Sequence, residues 1–190
     1  MTLSCNNTFP KRTYGPGVYI NEVTVADVQD ISGTTLPFLE RPVDIGIRLY
    51  LDIGREFQPE LIIAGNFKRD PATNEVIGWG GAFVVQEALS RLGYQGELEP
   101  NNSISDKVLL AIVGKRFLRL SYVSGMKEGG KPRYSDWNHI ATVEEGPEDL
   151  LARWKHSLSK GYPKKYCPDL LVQGTETPVT LQPIVHGDSF

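Results

Sequence analysis

Cysteine is almost missing from this 190-residue chain: Cys5 and Cys167 are the only two. That excludes a disulfide framework, although a single bridge between them stays open; reduced thiols suit their Asn- and Pro-flanked surroundings better. No run of about 18 apolar residues occurs, which excludes a membrane-spanning helix. The first ten residues lack an apolar stretch behind a basic one, so no secretory leader is expected and a cytoplasmic location follows. The three histidines, His139, His156 and His186, show no metal-ligand spacing. Gly114-Lys115 resembles the end of a phosphate loop, but Leu109 and Arg116 stand where its glycine and hydroxyl would be needed. No G-x-S-x-G elbow exists. No cofactor, metal or catalytic function is therefore expected.

What is present is ordinary in amount and unusual in placement. Hydrophobic residues make up 40% and charged residues 23%, enough for one domain with its own core, and the formal net charge is -3. Yet seven Lys or Arg side chains fall between Lys107 and Arg133 against one acid, Glu128. This basic segment leads into an alternating run, passes a glycine-rich loop and returns through Tyr134 and Trp137, the pattern of a β-hairpin. Basic charge interleaved with aromatic rings suits a phosphate backbone with stacked bases.

Periodicity supplies the remaining elements. Residues 1–16 show no period and read as a flexible arm, and residues 17–28 are rich in β-branched and aromatic types, the first strand. Residues 43–54 alternate strictly: Val43, Ile45, Ile47, Leu49, Leu51 and Ile53 make one apolar face, with Arg48 and Tyr50 on the other. A third strand covers residues 61–64, followed by a projecting loop over 68–78. Trp79, Ala82, Phe83, Ala88, Leu89 and Leu92 recur at helical spacing up to Gly93. The pair Gly80-Gly81 permits either close approach of another segment or a simple helix start. A short helix precedes Gly114; residues 115–123 and 133–143 are the fourth and fifth strands. Pro147, Glu148 and Asp149 open a helix whose Leu150, Leu151, Trp154 and Leu158 form an apolar stripe. Residues 162–190 read as an extended tail, leaving 17–161 as the domain.

Three strands, a helix and two strands are the order of an OB-like five-stranded Greek-key barrel, mainly β with helices, although a sheet packed on helices shares it. The run LLAIVGKRFLRLSYVSGMKEGGKPRYSDWNHI, together with VDIGIRLYLDIG and the helix between them, resembles phage-type OB-fold single-stranded DNA-binding proteins over about residues 17–143. The resemblance implies non-specific binding of single strands in replication or recombination, without cofactor or metal. Unlike bacterial relatives that end in an acidic tail, this chain has only Asp188 before Phe190.

The candidate contacts are Arg48, Lys115, Arg119, Lys127, Lys131 and Arg133 for phosphates, and Tyr50, Phe117, Tyr122 and Trp137 for bases. If the second and fourth strands adjoin, Arg48, Tyr50, Phe117 and Arg119 form one cationic, aromatic platform. The competing reading places the rings in the core. The expected partner is single-stranded DNA, with RNA, a homo-oligomer and replication or recombination proteins as further options. The alternative function is a non-enzymatic β-rich structural or assembly protein of a phage, its hairpin held by an acidic partner.

Overall fold

In a computed structural model, residues 12–37, 41–54, 56, 58–98, 100 and 103–171 are described. Eight strands and three α-helices follow in order: β1 (Arg12–Gly15), β2 (Val18–Asp30), β3 (Ile45–Asp52), β4 (Glu60–Gly65), β5 (Lys68–Arg69), β6 (Val76–Gly78), α1 (Phe83–Arg91), α2 (Asp106–Ile112), β7 (Arg116–Met126), β8 (Pro132–Ala141) and α3 (Gly146–Ser159). The main sheet runs β4-β3-β2-β7-β8, all antiparallel, and it curls until β4 and β8 approach each other. The result is a nearly closed five-stranded, OB-like barrel with α1 between its third and fourth strands. The layered sandwich that shares this order is not formed.

β2 is the hinge of the barrel. Its thirteen residues pair with β7 over Val18–Thr24 and with β3 over Thr24–Asp30, and a bulge between Val25 and Asp27 turns the strand from one half to the other. The strict alternation of β3 appears as predicted: Ile45, Ile47, Leu49 and Leu51 are fully buried in the barrel. Around them pack Leu61 and Ile63 of β4, Val85, Ala88 and Leu89 of α1, and Phe117 of β7. Val43 belongs instead to a small outer cluster with Ile31 and Leu36.

One member of the glycine pair is explained by its approach to β4 and the residues after it. A Cβ on Gly65 would collide with the Gly81 carbonyl and lie 2.7 Å from the Ala82 nitrogen, while Gly80 takes φ +50 against the backbone of Lys68. Strand and helix entry meet backbone to backbone, so close approach is the reason for Gly65 and Gly80, whereas a Cβ on Gly81 would find ordinary room, 3.7 Å from the Asn66 carbonyl oxygen.

β7 does not alternate between core and solvent, because both of its faces are covered. Phe117 enters the barrel; Leu118, Leu120 and Tyr122 face the other way, onto Leu150 and Trp154 of α3. That second core absorbs Trp137 and draws in Tyr14 and Tyr166 from the two ends of the described chain. Residues 12–15, expected within a flexible arm, thus form β1 on the edge of β2, with the Tyr166 hydroxyl donating to the Pro16 carbonyl at 2.7 Å. The expected loop over 68–78 holds the short β5–β6 hairpin. Residues 1–11, Cys5 among them, and 172–190 lie outside the described residues.

Candidate nucleic-acid interface

The hairpin forms at nearly its expected place. β7 and β8 pair from Leu118↔Ala141 to Met126↔Pro132, and a tight turn closes them: Lys127 N–H donates to the Lys131 carbonyl at 2.8 Å, and Gly130 N–H to the Lys127 carbonyl at 3.2 Å. Gly129 and Gly130 sit at φ +85 and +74, the left-handed conformation a side chain would resist. Lys127 and Lys131 therefore flank the last rung, with Arg133 one step behind opposite Gly125. All three are exposed, and among the described residues none has an ion-pair partner. Like charges opposed across a strand pair are destabilising on their own. A bound polyanion would remove that cost.

Lys115 is exposed and uncommitted too, but it precedes β7, at the far end of the strand from the loop. Twelve residues at ~3.3 Å each put its backbone on the order of 35 to 40 Å from Lys127. Two separate cationic points result, not one patch.

The platform of Arg48, Tyr50, Phe117 and Arg119 does not assemble. Arg48 pairs in register with Gln29 of β2 and Arg119 with Asn21. Eight residues of β2, roughly 25 Å, separate them. Phe117 is fully buried in the barrel. Arg119 is committed: Nε and Nη2 donate to the two carboxylate oxygens of Asp136 at 2.7 and 2.8 Å, and Ser121 Oγ donates to the same carboxylate at 2.7 Å.

Tyr122 and Trp137 also leave the list of stacking residues. Both are buried, their rings 5.0 and 5.4 Å from that of Trp154. Burial, then the Asp136 carboxylate, push the Tyr122 phenol up from its ordinary pKa. These rings were drawn inward because α3 supplies a second apolar layer. A helix with an apolar stripe must cover something, and β7 and β8 are what it covers.

Arg48 and Tyr50 stay on the outer face of β3 as predicted. Arg48 is half-buried and 3.5 Å from Glu60; Tyr50 is half-buried, its hydroxyl 3.4 Å from Gln29 Oε1. Tyr134, counted among the hairpin's rings but not among the candidate contacts, is 40% exposed beside the hairpin loop and meets Tyr19 edge-on at 5.6 Å. Its place next to Arg133 in the return strand was the available signal.

Among the described residues there is no cluster of His, Cys, Asp or Glu able to hold a metal, and no helix long and apolar enough to cross a membrane. No family model and no curated protein matches the chain.

Proposed function

We propose that this chain binds single-stranded DNA without sequence preference and coats or protects it during replication or recombination. The observation that carries the reading is the uncommitted cationic tip, Lys127, Lys131 and Arg133, on the loop between the fourth and fifth strands of an OB-like barrel. That loop, with the face of the second and third strands, is where such barrels take oligonucleotides. Binding is mostly electrostatic. Three of the four candidate stacking rings lie in cores, so Tyr50 is left as the base contact on the β3 face and Tyr134 as the one beside the loop.

Titration of fluorescent oligo-dT tests the reading. Three or four neutralised phosphates give a log-log salt slope of about -2 to -3, hence about 30-fold weaker binding for a fourfold rise in salt. Absence of binding even at low salt refutes it. Equal affinity for oligo-U would widen the ligand to RNA. Binding only to acidic protein would replace it with the assembly role.

A further inference from the structure

We propose a second ligand site, for a phosphate monoester carrying a planar ring, in the groove between β8 and α3. The groove lies where the β7–β8 ladder slips. From Arg119 to Ser121 is two residues along β7, whereas their partners Ile140 and Asp136 are four apart along β8. The two extra residues form a bulge containing Trp137, Asn138 and His139. Bulges of this kind re-aim side chains and often stand beside functional sites.

Two cavities adjoin the bulge and share Trp137, His139 and Ser157. One, about 490 Å³, is lined also by Arg153, His156 and Lys160; the other, about 410 Å³, by Tyr162, Pro163 and Asn138. One end is therefore cationic and the other carries the exposed Tyr162 ring, with the buried Trp137 in the wall of both. Volumes of this size are usual for small-molecule sites.

The electrostatics favour an anion at the first end. Its acids are already engaged. Glu87 is held by the His139 ring at 3.0 Å, and Asp136, in the neighbouring cavity, by Arg119. Arg153 donates through Nε to Asp149 and through Nη2 to the Ile140 carbonyl, each at 2.8 Å. Its Nη1, shut off from solvent, stands 3.7 Å from Glu87, so Arg153 adds positive charge to the groove wall without itself meeting a ligand. The side chains of His156, Ser157 and Lys160 have no partner among the described residues. The negative end of α3 is quieted as well, because the Ser159 hydroxyl and the Lys160, Gly161 and Tyr162 N–H groups cap the carbonyls of His156, Ser157 and Leu158. The accessible donors of His156, Ser157 and Lys160, gathered near the exposed Tyr162 ring, are what a phosphate on a base or other planar ring would satisfy. The site is remote in role from the hairpin loop and stands whether or not the chain binds strands.

Calorimetric titration of the full chain with 2′-deoxyadenosine 5′-monophosphate, deoxyadenosine and inorganic phosphate tests it. The monophosphate is expected to bind at least about tenfold more tightly than either fragment. The variant His156→Gln with Lys160→Gln, both exposed and outside the cores, should weaken it by about tenfold or more while leaving oligo-dT binding unchanged. No heat with the monophosphate, equal affinity for it and deoxyadenosine or for it and phosphate, or unaltered affinity in the variant would each overturn the proposal.

Discussion

Arg119 and Asp136 form a two-pronged ion pair across β7 and β8, at 2.7 and 2.8 Å, with the Ser121 hydroxyl closing the third contact. The pair is mostly shielded, its side chains 16% and 21% exposed. An arginine so held is a strap between strands and not a phosphate contact.

Replacing Asp136 with Ala should leave a partly buried guanidinium unpaired and Ser121 without its acceptor. The expected loss is about 2 to 3 kcal/mol of unfolding free energy, read by urea denaturation. Oligo-dT affinity of the folded fraction should not fall.

Phe117→Leu separates core from stacking. As a barrel residue Phe117 should lose about 1 to 2 kcal/mol of stability on that change, since some volume is left unfilled. Affinity for oligo-dT should match the parent, measured well below the melting temperature.

Tyr50→Ala should do the reverse. The ring is half-buried on the outer face of β3 and its hydroxyl contact is long, so stability should change little. Loss of one stacked base predicts weaker strand binding by about 1 to 3 kcal/mol, read by fluorescence titration.

Glu87 makes stability pH-dependent. The His139 hydrogen bond first, then Arg91, hold its pKa down at about 2 against burial, from an ordinary 4.5. A depressed carboxylate stabilises the fold at pH above its unfolded value and loses that contribution as pH falls through the folded one. Stability should therefore decline between about pH 4.5 and 2, and Glu87→Gln should flatten that part of the profile. Solvent screening limits the effect to on the order of 1 to 2 kcal/mol, measured by thermal melts against pH.

The barrel was legible because its strands carry local periodicity. The alternation of residues 43–54 spans a dozen residues, and the hairpin is closed by a turn of only five, Lys127 to Lys131. The site was less legible because it depends on which faces become covered. Parity placed Phe117 and Arg119 on one face and Tyr122 on the other, correctly. It could not show that the first face is the barrel interior or that α3 closes the second, since the contacts of Tyr122 and Trp137 with Trp154 are long-range. Register along β2, which separates Arg48 from Arg119, is likewise a tertiary fact. Exposed lysines of a turn need no such knowledge, and Lys127, Lys131 and Arg133 stand where the sequence put them.

The most direct test is charge reversal at that turn. In the variant Lys127→Glu, Lys131→Glu and Arg133→Glu, with folding verified by circular dichroism, oligo-dT affinity at low salt should fall by more than about 100-fold and the salt slope should shrink by about two. A folded variant with the parent's affinity and slope would contradict the account, because the hairpin tip would then not be the strand-binding surface.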